Sequence, residues 1–446
     1  MTRFEGPLKG RINSRTGAAA CNNRFMSASP HQMLGIYVSV PFCRSKCTYC
    51  NFASGVYPAS EHARYIHRVV AELRAAPAWA ATLGAALPRR VDTVYLGGGT
   101  PTLLVPQLFT QLFTCLRQEF EIAADAEITV ECAPGQLSDA TLAAMVEAGV
   151  NRVSLGVQSF IEAELRPSGR LHNAAMVATD IARLRAAGIA NLSVDLIAGL
   201  AGQTHASWQQ SLQALVATGV PHASVYMLEI DEDSRLGREL LAGGTRYRAG
   251  LVPRDEAIVE MYEEARAQLA AAGLHQYEIS NFSRPGAASL HNLRYWQRRP
   301  YLGVGIDASS MLRALPSTDP IPAVLRTTTT DRLADYLQGA PLAETTWLQA
   351  AQQHEEAWFL GLRLNCGVEF AALEEEFGAG LVGPARDVAQ CLWEEGLLVG
   401  DQLGVQLTSQ GRLLSNDVFA RFLGLKPSNS PWQKSGFERA RLERLS

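Results

Sequence analysis

The chain has 446 residues, 47% hydrophobic and 19% charged, enough to bury a large core and more than a bare peptide-binding module needs. Its 40 Lys and Arg against 44 Asp and Glu leave a net charge of −4, which gives no broad electrostatic reason to hold nucleic acid. The longest nearly apolar stretch, Ala75 to Leu87, is interrupted by Pro77 and is too short to span a bilayer.

Residues 1–33 carry Arg3, Lys9, Arg11, Arg15 and Arg24 with a single acid, Glu5, and follow neither helical nor strand period. The segment reads as a disordered N-terminal extension, without the apolar core of a secretory signal. Met33 stands directly before the first patterned stretch, so a start at that methionine is a concrete reading.

From there, short β-rich runs alternate with Ala-, Leu- and Glu-rich helical stretches. The predicted strands are Gly35 to Val40, Val91 to Leu96, Glu127 to Cys132, Arg152 to Val157, Asn191 to Ile197 and His222 to Glu229. Each reads as a nearly continuous apolar run, as for strands buried on both faces. Helices are predicted over 61–76, 104–119, 138–148, 173–187, 204–218 and 253–272, with Gly149, Gly188, Gly219 and Gly273 as C-caps. Six consecutive βα units predict an α/β fold, a partial (β/α)6 TIM-like barrel over 34–312. The run Tyr301 to Ile306 is strand-like, with its pairing open. Residues 313–348, with Pro316, Pro320, Pro322 and Thr327 to Thr330, read as a connector. Residues 349–425 read as a winged-helix-like α+β module, its wing alternating around Gly400 and Gly404, and 426–446 as a flexible tail. Glu374, Glu375, Glu376, Glu394, Glu395 and Asp401 make that module acidic, so packing suits it better than DNA binding.

Eight cysteines without regular spacing do not form a secreted disulfide framework and point to a reducing, cytoplasmic setting. Cys43, Cys47 and Cys50 cluster directly after the first strand, in Cys-x3-Cys-x2-Cys spacing. Three thiolates on one tight loop can hold three corners of a 4Fe-4S cluster and leave the fourth iron open to an exchangeable ligand. A zinc site completed by His62 or His67 is the structural alternative. Its weakness is location, because loops at the C-terminal ends of barrel strands are where barrel enzymes place reactive groups. Phe42, Tyr49 and Phe52 are expected to shield the loop from solvent.

This loop resembles the signature of the radical S-adenosylmethionine superfamily. The resemblance narrows to the branch containing oxygen-independent coproporphyrinogen III oxidase and related heme chaperones. It runs from about Gly35 to Leu423 and is carried by Tyr37-Val38-Ser39-Val40-Pro41-Phe42-Cys43, Leu96 to Thr102, Leu155 to Phe160, Asp195 to Leu200 and Ser224 to Glu229. It implies that Cys43, Cys47 and Cys50 hold the cluster, and that its open iron chelates S-adenosylmethionine. The same resemblance matches Tyr37, Gly98, Gly99, Thr100, Glu131, Gln158, Arg170 and Asp195 to nucleoside-ligand positions. Glycines there let backbone approach a ligand, and Arg170 looks like a carboxylate clamp. Two positions depart from the family pattern: Ala133 stands where Asn is usual, and Ala201 where Pro is usual.

The oxidases usually carry a further cysteine two positions after the third; this chain has Phe52 there, as the heme chaperones do, which leaves oxidase activity in doubt. His291-Asn292-Leu293-Arg294-Tyr295-Trp296 matches the chaperone motif His-Asn-x-x-Tyr-Trp, which makes His291 a candidate heme ligand, with Glu278, Ser280, Asn281 and Arg284 nearby. The expectation is a heme chaperone that binds a 4Fe-4S cluster, S-adenosylmethionine and heme. Its expected partners are heme-accepting proteins and a reduced flavodoxin-like or ferredoxin-like electron donor, with peripheral membrane contact on heme delivery and no nucleic acid. The alternative is the oxidase.

Overall fold

The structure, a computed structural model, describes residues 33–316, 321–339 and 341–425. The expected disordered extension, save its last residue, and the expected tail 426–446 lie outside the described residues. The chain divides into two compact units, one reaching to Leu348 and also holding Leu364–Cys366, the other holding the remaining C-terminal residues.

The first unit alternates β1 (Leu34–Val40), α1 (Ala59–Thr82), β2 (Arg90–Gly98), α2 (Pro106–Glu119), β3 (Glu121–Cys132), α3 (Asp139–Glu147), β4 (Arg152–Gln158), α4 (Ala174–Ala186), β5 (Asn191–Ala198), α5 (His205–Thr218), β6 (His222–Met227) and α6 (Asp255–Ala271). The strands run parallel and in chain order, through Val38↔Leu96, Leu96↔Val130, Val130↔Val153, Leu155↔Val194 and Leu196↔Val225. Helix starts follow local chemistry: the side chains of Ser138, Asn173 and Thr204 accept from Thr141 N, Met176 N and Ser207 N, satisfying donors that a first turn leaves free. Gly219 closes α5 in the left-handed region.

The sheet continues at both edges. β7 (Asn281–Ser283) pairs antiparallel with β6, and after α7 (Leu290–Trp296) the strand β8 (Tyr301–Val304) returns to lie parallel beside β1, with Ile36 opposite Leu302. This gives the Tyr301 run its pairing. β9 (Ser309–Ala314), β10 (Val324–Thr329) and β11 (Leu342–Leu348) extend the same edge antiparallel. The stretch expected as a connector therefore holds two whole strands and the end of a third. Its prolines 316 and 322 fall between strands, while the β-branched Thr327 and Thr329 are buried within β10. The two ends of the sheet do not pair among the described residues, so the barrel is open.

A second correction concerns patterning. The strands alternate with period two rather than running apolar on both faces. Ile36, Val38, Val40, Val94, Leu96, Ile128, Val130, Val153, Leu155, Leu192, Val194, Leu196, Ala223 and Val225 are buried on one face. The other presents Tyr37, Ser39, Thr93, Tyr95, Gly97, Glu127, Thr129, Glu131, Arg152, Ser154, Gly156, Ser193, Asp195, His222 and Ser224. A polar inner face is costly to bury unless it is hydrogen-bonded or meets a ligand.

The second unit builds on helices 350–363, 370–377 and 379–394 and a small antiparallel sheet of 368–369, 404–407 and 398–400, followed by two short helices. Trp358 is fully buried and stacks on Phe422 with centroids 4.5 Å apart. No helix among the described residues is long and apolar enough to cross a membrane.

Trp208 fixes α5 to α6: it is fully buried and its indole Nε1 donates to Met261 O at 2.7 Å. Trp208→Ala is expected to cost about 3–5 kcal/mol, seen as a lower denaturant midpoint. Trp208→Phe, which keeps a ring but loses the donor, should cost less.

Candidate functional site

The loop after β1 is closed at its base by Gly55 N donating to Pro41 O (2.8 Å) and Cys43 N donating to Gly55 O (2.9 Å). Further round, Thr48 N donates to Ser168 O at 3.1 Å and Leu236 N to Thr48 O at 2.8 Å, so backbone from later units holds the loop. The glycine triplet after β2 is zipped to it as well, with Gly99 N to Val40 O (2.9 Å) and Thr100 N to Phe42 O (2.7 Å). Gly98 has φ +96°, a conformation only glycine adopts cheaply.

Cys43, Cys47 and Cys50 are free thiols, each partly buried. Thr100 Oγ1 lies 4.0 Å from Cys43 Sγ, and Ser54 Oγ 3.9 Å from Cys50 Sγ. Burial pushes the Cys43 thiol up; hydrogen bonds from Ser54 and Thr100 oppose this, and the charges of Cys47 and Cys50 add to it. A cation among the three would reverse that balance. Zinc would need its thiolates about 3.8 Å apart at tetrahedral corners. Among the described residues no three His, Cys, Asp or Glu side chains gather around one such point. The histidines proposed as a fourth ligand are engaged or remote: His62 stacks on Phe42 at 3.8 Å, and His67 is exposed. A cubane takes one thiolate per iron, and three cysteines free of disulfide on one short loop are the donor set it uses. The expected shield is only partial, since Phe42 is buried but Phe52 is 58% exposed.

Most of the nucleoside-matching residues gather at this end of the inner face. Glu131 accepts from Tyr95 Oη (2.9 Å) and Gly98 N (3.1 Å), and a side chain at Gly97 would strike its carboxylate. Tyr37 stands beside Tyr95, ring centroids 6.0 Å apart. Asp195 accepts from Ser154 (2.9 Å), Ser193 (3.0 Å) and Ser224 (2.7 Å). Arg170 donates to Gly156 O at 2.8 Å. A Cβ at Gly156 would come 3.2 Å from the Gln158 amide and 3.4 Å from Arg170, so glycine permits that pair. Gln158 has φ +67°, a strained backbone for a non-glycine residue, and its buried Oε1 has no partner. Arg170 Nε and Tyr49 Oη are likewise buried without a well-formed hydrogen bond, although the two side chains and Cys47 lie near enough to act on one another. Orphaned donors and acceptors of both kinds, beside three thiols, fit a polar zwitterionic ligand.

His291 lies apart from this group. Its ring is buried, with Nδ1 2.9 Å from Thr93 Oγ1 and Nε2 2.8 Å from Tyr295 Oη. Burial, then the Arg152 charge, lowers it to about 3, so the imidazole is neutral. The backbone N–H groups of Leu290 and His291 donate to Glu127, both at 3.0 Å. Neither ring nitrogen is open to an iron, so the structure does not place His291 as a heme ligand. The neighbouring Glu278 is also committed locally, to Ser280 N and Asn281.

The departures from the family pattern leave the loops intact. After β5, Gln203 Oε1 accepts from Gly199 N and Leu200 N, holding the turn in which Ala201 sits. Inner-face residues not singled out from sequence include Tyr95, Arg152, Ser154, Ser193 and His222; the signal for them was the period-two alternation, as in Glu127-Ile128-Thr129-Val130-Glu131.

Burial, with Asp195 adding and hydrogen bonds from Tyr95 and Gly98 opposing, raises Glu131 to about 7. Between its ordinary value and 7, the native state holds a proton that the unfolded chain has released. The apoprotein should therefore lose stability as pH rises through that window. Glu131→Gln is expected to flatten this slope in denaturation series taken from pH 4.5 to 7.5. A variant with the wild-type slope would show that Glu131 is ionised throughout.

Comparison with known proteins agrees with this geometry. The profile of the radical SAM superfamily matches residues 37–215, and that of the HemN C-terminal domain residues 348–414. Heme chaperone HemW of Bacillus subtilis is 34% identical over 88% of this chain and 100% of its own length. The Escherichia coli protein of the same name is 31% identical, over 87% and 98%. Radical S-adenosyl methionine domain-containing protein 1, mitochondrial, of Bos taurus is 33% identical, over 88% of each chain. In fold, the chain is similar to coproporphyrinogen III oxidase (HemN) of Escherichia coli, with a TM-score of 0.73 at 23% identity, covering 91% and 92%. Full-length identity at this level, together with a three-cysteine loop on an open parallel barrel, makes the chain a member of the heme chaperone HemW family within the radical SAM superfamily.

Proposed function

We propose that this protein binds heme and delivers it to acceptor proteins, holding a 4Fe-4S cluster on Cys43, Cys47 and Cys50 and S-adenosylmethionine at the barrel mouth. The observation that carries this reading is the match to heme chaperone HemW over that protein's whole length. Phe52, where the oxidases continue with a cysteine, supports it over porphyrinogen oxidation. When bound, a cluster with one iron free of cysteine supplies an open coordination position and an electron.

In this reading Arg170 clamps the ligand's carboxylate, its guanidinium already aimed by Gly156 O. Glu131 and Asp195 accept from ammonium or ribose hydroxyl groups, Gln158 offers its free Oε1, and Tyr37 flanks the nucleoside. Gly98, Gly99 and Thr100 present backbone and one hydroxyl. The barrel and the strands that extend its edge reach to Leu348, and the winged-helix-like module follows from Gln349. We place the protein in the cytoplasm, served by a flavodoxin-like or ferredoxin-like electron donor, with peripheral membrane contact during delivery.

Anaerobic titration with heme, run beside a coproporphyrinogen oxidation assay under reductant, tests the proposal. Stable heme uptake without conversion to protoporphyrinogen is expected, and conversion would instead favour the oxidase. Cys47→Ala should fail to retain iron and labile sulfide after anaerobic reconstitution; full cluster content in that variant would exclude Cys47 as a ligand.

A further inference from the structure

Between β6 and α6 the chain makes an excursion in which, over residues 228–251, only Ser234, Leu236, Gly237 and Ala249 are buried. This excursion reaches back to the cysteine loop at three places. The Arg235 guanidinium donates to Lys46 O, Leu236 N donates to Thr48 O at 2.8 Å, and Asn51 Nδ2 donates to Asp231 Oδ2 at 3.0 Å. Among the described residues, Arg235 is the one side chain of the excursion that grips backbone of the loop.

The three cysteines depend on this contact differently. Cys43 N donates to Gly55 O within the loop, and the backbone on its N-terminal side is zipped to the glycine triplet. The neighbours of Cys47 are instead held from outside: Lys46 O by Arg235, Thr48 N by Ser168 O at 3.1 Å, and Thr48 O by Leu236 N. Cys50 N in turn donates to Cys47 O at 3.3 Å, so the place of Cys50 follows that of Cys47.

Arg235 is aimed by its surroundings. Ser234 Oγ accepts from Gly237 N at 2.9 Å and starts the helix Arg235–Leu241, in a turn so tight that a Cβ at Gly237 would strike Asp231 O. The guanidinium carbon of Arg235 lies 5.6 Å from the Tyr247 ring centroid, and that of Arg246 lies 5.9 Å from the same ring. Tyr247 and Arg248 have φ of +56° and +58°, which non-glycine residues keep only where their neighbours enforce it. Arg235 Nε makes no hydrogen bond, so Lys46 O is the only hydrogen-bond partner of this guanidinium among the described residues.

A segment with so few buried groups opens at lower cost than the sheet beneath it. A charged donor on a carbonyl is then a large part of what keeps it closed. We infer that Arg235 is a positioning residue for the cluster: it bolts the excursion onto the peptide bond that leads into Cys47, and so sets how long the cluster is held. This rests on the cluster-binding reading above.

The test is iron release to excess bathophenanthroline disulfonate from the anaerobically reconstituted full chain. Arg235→Gln is expected to release iron about tenfold faster than wild type, the worth of a charge-assisted hydrogen bond. Arg235→Lys, which keeps a charged donor, should fall between the two. Tyr247→Leu, which removes the ring beside the guanidinium, should also speed release. In the apoprotein, hydrogen exchange at the Thr48 and Leu236 amides should quicken in Arg235→Gln by a similar factor, while the amides of β4 keep their wild-type rates. Either an unchanged release rate or unchanged exchange in Arg235→Gln would overturn the inference. So would a quickening shared by β4, which would make Arg235 a general support of the fold. If Arg235→Gln fails to fold, Arg235→Lys and Tyr247→Leu carry the comparison, and wild-type release in both would overturn it. Failure of wild type to take up iron and labile sulfide would reject the cluster reading itself, and the apoprotein exchange would still decide whether Arg235 holds the loop.

Discussion

The cysteine loop is held against the glycine triplet by backbone alone, and the placement of the three thiols follows from that contact. A Cβ at Gly99 would lie 2.7 Å from Val40 O, 2.8 Å from Phe42 O and 2.9 Å from Phe42 N, all backbone atoms of the strand and loop that lead into Cys43. None can swing aside as a side chain would. The same approach lets Gly99 N and Thr100 N donate into that backbone, so Cys43 and the nucleoside-matching glycines are set by one piece of geometry. Gly97 extends the logic one residue back, since its missing side chain leaves room for the Glu131 carboxylate.

Behind this rim the barrel keeps its interior polar while limiting net charge. Burial raises Glu131 and Asp195 and lowers His222 and His291. Each shift moves a buried group towards its neutral form, as a low-dielectric interior without its ligand requires. The serines around Asp195 and the Tyr95 hydroxyl on Glu131 then act as fixed dipoles that need little reorganisation when a cation or hydroxyl arrives. Arg170 and Arg152 are the exceptions, because guanidinium does not neutralise.

Much of this was legible in the sequence. The βα rhythm located all six barrel strands, and the glycine C-caps closed the helices where the structure ends them, with φ of +78° at Gly149 and +90° at Gly188. Clustering and spacing found the cysteine loop, because ligand spacing on one short loop is a local property. The inner face was missed for a reason of scale. Hydrophobic runs such as Val153 to Val157 contain single Ser and Gly residues that a five-residue window averages away, although they occupy every second place. The Thr-rich β10 was misread as a connector because its strand character depends on pairing with β9 and β11, which no local window contains. For His291 the motif located the residue correctly but not its partners; Thr93 and Tyr295 come from another strand and the next turn of its own helix.

The barrel itself does not separate a heme carrier from a porphyrinogen oxidase, since both readings need the same cluster and the same zwitterion clamp. The difference lies in what surrounds the open iron. A radical enzyme has to exclude water and bystander groups from its reactive intermediate, whereas a carrier has to present its cargo to another protein. Around this loop the side chains that would provide a cover are turned outward: Phe52 is 58% exposed, Val56 64% and Leu171, next to Arg170, 75%. An aromatic ring at position 52 supplies no metal ligand and, 58% exposed, no shield for the loop. That is the physical sense in which one residue beside the cluster loop bears on function while the barrel beneath it stays the same.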